Sequence, residues 1–541
     1  MPTHCGPFSF TAMPLHKPLT RIVILHWLAL PLLLASLASG LRIHISSRLD
    51  KLLPGVAHWL PQGDIYGLHL LLACGWLVLA CAYGTHLWLN RASRPYSAAG
   101  RMAPYNRGLI QALRWLLLAL LLLGLAIYLA GSAAAGGWLL WAHRWLAITL
   151  LACFILHMVM QAGWTPWAQL RAIVLPRLTW QACVVTLLAI LGISSATWLL
   201  RPTWQQATTA VLPVGSIALS ETITVDGAST EAAWQQAIAR TVDTLGVGHE
   251  KTAIPVTVQA LRQGEVMYFR FSWPDPTPSL QHLPLVKTST GWQIKQRGLH
   301  QHDETLYYED KLAIMFAQDA AAAGSGSMQL GQQPVHQAPP HATGRGYHAA
   351  QSSGLIDVWH WKAVRTHGFN QLDDSHFGSP YPVIPGDTRY TAGYKSDPLQ
   401  AGGYTENWAW PGEGNIHPKR LPRDPALLDR FQHAKADDPS VYWGMSWYES
   451  MPYDSKDDHY PVGTVMPSVL WKTVFEGDRG DVQAAAQWQQ GRWTLEAARG
   501  IQSASPFDLD LEDGLYLWVA VFDHAQIRHS YHLRPLRLRF D

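Results

Sequence analysis

The first 200 residues carry long runs of apolar side chains separated by short polar stretches. Five of these runs approach or exceed the roughly 20 helical residues that cross a bilayer. They are Ile22–Ile43, Ile65–Leu89, Leu109–Ala130, Trp138–Met160 and Leu178–Leu200. The pattern predicts an all-α transmembrane bundle of five helices over residues 21–200, preceded by a short N-terminal segment at residues 1–20.

After Pro202 the apolar residues begin to alternate with polar ones, which is typical of half-buried strands. Met267, Phe269, Phe271 and Trp273 share one face of such a strand. Similar runs occur at Ile254–Leu261, Trp493–Ala498, Leu515–Phe522 and Leu536–Phe540. The pattern predicts a mainly β sandwich domain over residues 220–541, joined to the helices by a linker at residues 201–219, so the fold class is multidomain. Short helices are expected at Glu231–Arg240 and Val482–Gln490.

Lys and Arg side chains sort by loop along the helical half. The basic residues that precede the first, third and fifth predicted helices are Lys17, Arg21, Arg91, Arg94, Arg101, Arg107, Arg171 and Arg177. Because cytoplasmic loops carry an excess of positive charge, these loops are expected in the cytoplasm. An odd number of helices then places the β domain in the periplasm, beyond a bacterial inner membrane, with the N-terminus cytoplasmic.

A competing interpretation treats residues 1–40 as a cleaved signal peptide, since basic residues precede an apolar run that ends in Ala-Ser-Leu-Ala-Ser-Gly. Against it, His26 and Trp27 stand where such peptides have a plain Leu/Ala core. The predicted anchor is therefore retained.

Net charge and cysteine usage narrow the function classes. A formal net charge of +2 without a basic stripe makes nucleic acid an unlikely partner, whereas membrane lipid is an expected one. All five cysteines precede residue 184, and no CxxCH motif occurs. Any haem in this chain is therefore expected to be bound noncovalently.

Histidines recur inside the apolar segments, where ionisable side chains are costly and usually functional. His143 and His157 lie 14 residues apart, so on a helix they face one direction about 21 Å apart. By depth, His69 and His143 form an outer pair, and His26 and His157 form an inner pair. The spacing predicts two bis-histidine haems. The alternative is that these histidines are interfacial or hydrogen-bonded polar residues, which is also the role expected for His86.

The phrase Arg21-Ile-Val-Ile-Leu-His26-Trp-Leu, the second helix with its histidine and the fourth helix with two carry a family likeness. Residues 15–200 resemble the bacterial cytochrome b561 and hydrogenase-type cytochrome b superfamily. The resemblance implies a four-helix core that binds two haems b and exchanges electrons with quinones. It also implies one haem between the first and fourth helices and one between the second and fourth.

Four phrases in the second half are more specific than periodicity. They are Val225-Asp-Gly-Ala-Ser-Thr-Glu-Ala-Ala-Trp234, Phe271-Ser-Trp-Pro-Asp-Pro-Thr277, Tyr307-Tyr-Glu-Asp-Lys-Leu-Ala-Ile-Met-Phe316 and Ile356-Asp-Val-Trp-His-Trp-Lys-Ala363. From about residue 220 onward the chain resembles the haem-binding gamma subunit of ethylbenzene dehydrogenase and its relatives. The resemblance implies one haem b held between a Met and a second axial ligand, which is Lys in the best-known members.

Carried onto this chain, the resemblance assigns Met315 as the thioether ligand. Where the family's Lys-Ser phrase is expected, the chain reads Arg528-His529-Ser530, so His529 is the expected second ligand. His360, inside the Asp-Val-Trp-His-Trp phrase, is the runner-up. This departure from the family pattern favours His/Met ligation over Lys/Met ligation.

No nucleophile elbow, phosphate loop, zinc motif or dinucleotide fingerprint occurs in a suitable context, so independent substrate chemistry is not indicated. The expected function is electron transfer between the quinone pool and a periplasmic redox protein, either a c-type cytochrome or a molybdoenzyme. Thioether ligation favours outward flow because it raises a haem's potential, but the opposite direction stays open. The alternative function is a haem-based sensor or binding module anchored in the membrane.

Overall fold

The computed structural model of this chain contains long apolar helices and one large β-sheet. It describes residues 17–44, 59–61, 65–89, 103–130, 136–164, 192, 195, 199, 209–244, 254–295, 307–320, 328–330, 348–350, 354–378, 394–409, 416–435, 438–526, 529–532 and 534–540. The chain divides into two compact units. The first unit contains the long helices and the second contains the sheet, and each unit is described separately.

Four long helices make up the described part of the helical unit. They are α1 (Lys17–His44), α2 (Ile65–Leu89), α3 (Ala103–Ala130) and α4 (Gly136–Trp164). Four of the five predicted spans are therefore helical. The fifth, Leu178–Leu200, lies outside the described residues except for residues 192, 195 and 199, which are helical.

Three of these helices are long and apolar enough to cross a membrane: Ile65–Thr85, Gly108–Leu129 and Trp138–Met160. In α1 the described apolar stretch, Trp27–Ile43, is shorter. Several large apolar side chains lie on the outside of the unit, including Leu122 at 58% exposure and Leu129 at 68%. Apolar surface of this extent, on helices that satisfy their own backbone hydrogen bonds, indicates membrane insertion.

The β unit is built on a sheet of 13 strands. These strands are β1 (Ala210–Ser216), β2 (Arg240–Thr244), β3 (Ile254–Gln263), β4 (Val266–Pro274), β7 (Lys311–Ala317), β10 (Ile356–Lys362), β11 (Asp373–Phe377), β12 (Tyr394–Ser396), β19 (Gln483–Gln489), β20 (Arg492–Gly500), β21 (Tyr516–Phe522), β22 (Ser530–Tyr531) and β23 (Leu536–Phe540). The order across the sheet is β12-β11-β10-β7-β21-β23-β1-β3-β4-β20-β19, with β2 paired to β3 and β22 paired to β21.

Short elements surround this sheet. The remaining strands are β5 (Leu285–Thr288), β6 (Gly291–Ile294), β8 (Met328–Leu330), β9 (His348–Ala350), β13 (Tyr404–Glu406), β14 (Arg420–Pro422), β15 (Gly444–Ser446), β16 (Ser450–Pro452), β17 (Val465–Met466) and β18 (Val469–Trp471). Two short α-helices, α5 (Ala232–Gln236) and α6 (Asp429–Gln432), and the 3-10 turns Pro425–Leu428 and Asp478–Gly480 complete the described elements.

The large sheet curls into a half-barrel, so that distant strands pack against each other. Trp273 on β4 meets Trp361 on β10 with ring centroids 5.8 Å apart, and Phe269 on β4 meets Phe316 on β7 at 5.5 Å. The predicted mainly β domain is confirmed in this form. The two packed layers of the expected sandwich are parts of one continuous sheet.

Alternation in the sequence identified the core face correctly. Met267, Phe269, Phe271 and Trp273 are each at most 1% exposed. Burying a large apolar side chain of this kind contributes roughly 1.5 to 3 kcal/mol, which makes this face a main source of stability.

The two short helices expected in this unit turn out differently. The expected helix at Glu231–Arg240 is shorter, since α5 spans Ala232–Gln236. The expected helix at Val482–Gln490 is wrong, because this segment forms strand β19. Its neighbour β20 pairs with it along its whole length, and Trp488 lies opposite Trp493. Tertiary pairing has overridden the helix propensity of a run rich in Ala and Gln.

Candidate functional sites

Two histidines of the helical unit lie close together. His69 on α2 and His143 on α4 have ring centroids 6.3 Å apart and ring planes at 79°. When two imidazoles bind one metal ion from opposite sides, with bonds of about 2.0 to 2.1 Å, their centroids lie roughly 6 Å apart. The observed spacing therefore fits a single metal ion held between the two rings. These are the residues predicted as the outer pair.

A chain of hydrogen bonds orients His69. The hydroxyl of Ser39 donates to the carbonyl oxygen of Ser36 at 3.1 Å, and Nδ1 of His69 lies 2.8 Å from the same hydroxyl oxygen. Because this hydroxyl has only one proton to donate, Nδ1 of His69 is the donor in the second bond. The Nε2 atom of His69 is then unprotonated, as a metal ligand must be.

One buried ring nitrogen of His143 lacks a hydrogen-bond partner among the described residues. Its Nδ1 atom is buried and has no hydrogen-bond partner in the described part of the chain. A buried polar atom without a partner is costly, and such atoms occur mainly where an ion, cofactor or functional contact satisfies them. The fit of His69 and His143 to the predicted haem rests on the spacing of their rings.

Each of these two rings faces a glycine from another helix. A Cβ atom added to Gly40 of α1 would lie 3.4 Å from Cε1 of His69, and one added to Gly124 of α3 would lie 3.4 Å from Cε1 of His143. Both glycines thus leave just enough room for the imidazole edge. Sequence reasoning missed Ser39 and both glycines, because small residues are common throughout these apolar segments.

The other histidines of the helical unit are less completely described. His157 lies on α4, seven residues past its midpoint, and is partly buried. The side chains of His26 on α1 and His86 on α2 lie outside the described part of the structure. The inner pair, His26 and His157, therefore stays a prediction.

In the β unit, Met315 occupies the middle of a strand at the centre of the sheet. Its neighbours across the sheet are Val358 on β10 and Trp518 on β21. Two residues back along β7, Ala313 is flanked by His360 and by Ala520 on the same two strands. Side chains alternate between sheet faces, so all six project from the face opposite the main core.

Two alanines lie side by side on this face. Ala313 and Ala520 are 8% and 7% exposed and pack with Phe522 in a small cluster separate from the main core. Larger side chains stand around them, among them Met315 and Trp518. The paired small residues therefore lie among larger side chains on this face.

His529 lies on the same face. Strand β22 pairs with β21 so that Ser530 is opposite Val521, and the next pair in this register is His529 with Phe522. The rings of these two residues have centroids 4.7 Å apart, and the ring of His360 lies 5.5 Å from Phe522. The fold thus brings the three predicted ligand candidates, Met315, His529 and His360, to one surface.

The strand register places the two candidate histidines, His360 and His529, at different distances from Met315. His360 is one strand and two residues from Met315, roughly 8 Å between Cα atoms, whereas His529 is two strands and four residues away, roughly 16 Å. The register therefore places His360 closer to Met315 than His529.

Burial favours the neutral form of both histidines. Burial lowers the pKa of His529 to about 4, and its Nδ1 donates to the carbonyl oxygen of Ser530 at 3.3 Å, so its Nε2 carries the lone pair. Burial, followed by the charges of Lys362 and Lys311, lowers the pKa of His360 well below its ordinary value. The Nε2 atom of His360 is buried without a hydrogen-bond partner among the described residues.

Buried charged side chains connect β7 and β10, the strands that carry the candidate ligands Met315 and His360. The Glu309 carboxylate accepts the N–H groups of Val364 at 2.6 Å and Arg365 at 2.9 Å, and it also pairs with the Arg365 guanidinium. Burial alone would raise the pKa of Glu309, but Arg365 holds it well below its usual range. This network fixes the start of β7, which carries Met315, against the end of β10, which carries His360.

Comparison with solved structures gives only distant likenesses. A protein from Bacteroides uniformis is 5% identical with a TM-score of 0.24, and the match covers 62% of this chain and 100% of that one. A family 9 carbohydrate-binding module from Caldicellulosiruptor kristjanssonii, solved with glucose, is 7% identical with a TM-score of 0.21, covering 60% and 95%. The same module with cellotriose is 6% identical with a TM-score of 0.21, covering 61% and 94%. Likenesses this weak carry no argument, and no protein of curated function matches the chain.

A family model gives the informative match. The model described as ethylbenzene dehydrogenase matches residues 201–534. This range covers more than half of the 541 residues and contains Met315, His360 and His529. It confirms the predicted resemblance of the second half, whereas the likeness of residues 15–200 to cytochrome b561 stays a prediction. This chain belongs to the redox-related ethylbenzene dehydrogenase family.

Proposed function

We propose that this chain is a membrane-bound b-type cytochrome that transfers electrons between the quinone pool and a periplasmic redox partner. Two haems b in the helical unit and one in the β unit would serve this function. The spacing and orientation of His69 and His143 are the observation that carries the proposal, since these rings fit one metal ion.

Each residue of the outer membrane site has a definite role in this proposal. His69 and His143 would be the axial ligands of the outer haem, and Ser39 would keep the Nε2 atom of His69 unprotonated. His26 and His157 would hold the inner haem. A bound haem b supplies a centre that accepts and releases one electron. Apolar helices around the two histidine pairs exclude water and protons from this path.

In the β unit, Met315 and His529 would hold the external haem, with His360 as the alternative second ligand. The strand register supports this assignment because it brings Met315, His529 and His360 to one face of the sheet. Thioether ligation raises a haem's reduction potential relative to bis-histidine ligation. Outward electron flow, from quinol toward the periplasmic partner, is therefore the favoured direction.

The proposed orientation places the N-terminus in the cytoplasm and the β unit in the periplasm of a bacterial inner membrane. It rests on the excess of Lys and Arg in the segments before the first, third and fifth predicted helices. A reporter enzyme that is active only in the periplasm, fused after Asp541, tests this arrangement. Activity is expected, and its absence would contradict the orientation.

A second candidate function is a haem-based sensor. One observation favours it: two neutral histidines, His360 and His529, contact Phe522, and the Nε2 atom of His360 has no hydrogen-bond partner in the described part of the chain. Two competing ligands would allow the sixth position of the iron to open. Carbon monoxide distinguishes the candidates, because an electron carrier with stable six-coordinate haems leaves its reduced spectrum unchanged, whereas a sensor binds the gas.

A haem count tests the main proposal. The pyridine haemochrome of the purified full chain should give three haems b per polypeptide, and a quinol analogue should reduce them. A count of two would limit the proposal to the helical unit, and a colourless protein would refute it. Redox titration adds the direction, since an external haem with a lower potential than the membrane pair would contradict outward flow.

A further inference from the structure

Three aspartates that lie far apart in the sequence converge at one end of the main core. Asp357 is on β10, Asp374 is on β11, and Asp508 is in the connection between β20 and β21. One carboxylate oxygen from each lies within 4.8 Å of the others. Asp357 and Asp374 are completely buried, and Asp508 is 8% exposed.

The guanidinium of Arg499 partly balances the negative charge of the three aspartates. Nη1 of Arg499 donates to Oδ2 of Asp357 at 2.8 Å and lies 3.7 Å from Oδ2 of Asp508. Its Nη2 atom is engaged by the carbonyl oxygen of Leu509. In the described part of the chain, this group of three carboxylates therefore has one cationic side chain in contact, which leaves an excess of negative charge in a buried place. Such an excess is costly unless another cation or protons compensate it.

Each of the three aspartates also has one oxygen that accepts no N–H or hydroxyl hydrogen bond from the described residues. Oδ1 of Asp357, Oδ2 of Asp374 and Oδ1 of Asp508 are buried, and no described donor reaches them. The Asp374 carboxylate accepts a hydrogen bond from the N–H of Ser375, through its other oxygen. Three unsatisfied carboxylate oxygens in one buried group point to a ligand that accepts several oxygen donors at once.

A fourth carboxylate, that of Asp481, is exposed to solvent beside the three buried aspartates. Asp481 follows the 3-10 turn at Asp478–Gly480, is exposed, and lies in hydrogen-bonding contact with Asp374 and Asp508. A buried ion site needs a path by which the ion enters. The exposed Asp481 lies where an ion would enter this group. Protons shared between carboxylates would relieve some of the repulsion. They would not, however, supply a common partner for three separate oxygens.

We propose that Asp357, Asp374 and Asp508, with Asp481 at the mouth, bind one divalent cation of the hard, oxygen-ligated class, with Ca²⁺ as the expected ion. Carboxylates are the ligands that such ions prefer, and Ca²⁺ tolerates the irregular geometry of ligands from several loops and strands. The ion ties β10 and β11 to the connection between β20 and β21. It thereby stiffens β10, the strand that carries His360, without depending on any haem.

A second group of aspartates in the β unit differs from the first because protein donors satisfy its central carboxylate. Asp275, Asp310 and Asp523 also bring carboxylate oxygens within 4.8 Å of one another. There, the two oxygens of Asp310 accept N–H groups from Ser279, Trp493 and His524. Because protein donors already satisfy this carboxylate, Asp310 serves as a matched control that should not bind the ion.

The test is equilibrium dialysis of the purified full chain against radioactive Ca²⁺ after treatment with EGTA. We expect one Ca²⁺ ion per chain, and Asp374→Asn and Asp481→Asn should each weaken binding by at least about tenfold, the scale seen when a metal loses even an outer-shell partner. Asp310→Asn should leave binding unchanged. Asp481 is exposed, so its variant tests the site even if Asp374→Asn does not fold.

Thermal unfolding followed by circular dichroism gives an independent readout. Ca²⁺ at roughly 100 times its dissociation constant should raise the unfolding temperature of the β unit by about 5 °C, while equal Mg²⁺ should raise it less. The proposal fails if the wild-type chain binds no Ca²⁺ at millimolar concentration. It also fails if Asp481→Asn binds as tightly as wild type, or if Asp310→Asn abolishes binding that Asp374→Asn retains.

Discussion

His69 and His143 come from different helices, and their imidazole planes are nearly perpendicular, at 79°, with centroids 6.3 Å apart. Because each ring supplies one side of the proposed iron site, neither residue can maintain six-coordinate ligation alone. His143→Ala and His69→Ala should each remove one haem from the expected three, measured as pyridine haemochrome per polypeptide.

His86→Ala is the matched control for these variants, since His86 lies on the same helix as His69 and is expected to be interfacial. It should retain all three haems. A full haem count in both His69→Ala and His143→Ala would show that these residues do not hold a haem.

Gly124 should be sensitive to the size of its side chain. A Cβ atom there would lie 3.4 Å from Cε1 of His143, so alanine fits at contact distance whereas a leucine presses on the ring. We expect Gly124→Ala to resemble wild type and Gly124→Leu to change the low-spin electron paramagnetic resonance signal of one haem or to lower its occupancy.

Gly108 provides the comparison on the same helix, α3, because an added Cβ there meets nothing within 4 Å. Gly108→Leu should leave both the spectrum and the haem content unchanged. If Gly108→Leu and Gly124→Leu behave alike, the effect is one of helix packing and not of contact with His143.

Substitutions in the β unit should identify the second ligand of the external haem. Met315→Leu conserves volume, so it should cost less than about 1.5 kcal/mol of stability while removing the thioether ligand. The reduced spectrum of one haem should then respond to carbon monoxide. His529→Ala should have the same effect on the spectrum if His529 is the opposite ligand.

His360→Ala separates the two assignments. With His529 as ligand, His360→Ala keeps the six-coordinate spectrum, because His360 then does not bind the iron. An opposite result, in which His360→Ala opens the iron and His529→Ala does not, would make His360 the ligand.

His532 should make the stability of the β unit depend on pH. Its Nε2 accepts the N–H of Val519 at 2.8 Å, its Nδ1 donates to the carbonyl oxygen of Arg534 at 2.6 Å, and burial lowers its pKa from 6.5 to about 4. Between these values the unfolded chain binds a proton that the folded chain does not. Stability is therefore complete above pH 6.5 and falls as the pH drops toward 4, by about 1.4 kcal/mol per pH unit for this group.

Urea unfolding of the full chain, followed by tryptophan fluorescence between pH 4.5 and 7, measures this slope. His532→Gln should lower the slope by about 1.4 kcal/mol per pH unit, since it removes one titrating group. His433→Gln, at an exposed histidine, should leave it unchanged. Equal slopes in wild type and His532→Gln would rule out this linkage.

Local patterns were sufficient for most elements and for the proximity of one histidine pair. The length of the apolar runs predicted α1 to α4, and strict alternation predicted strands such as β4, because both depend on neighbouring residues only. Helical periodicity combined with depth also placed His69 beside His143. The phrases around Met315 predicted the family of the second half.

Tertiary structure determined the features that depend on contacts between residues far apart in the chain. The run at 482–490 became a strand because β20 lies beside it, and Ala313 meets Ala520 because β7 and β21 are neighbours in a particular register. Arg499 reaches Asp357 across 142 residues. Strand order and register arise from packing of the whole sheet, so no local pattern could place Ala313 beside Ala520 or bring the three aspartates together.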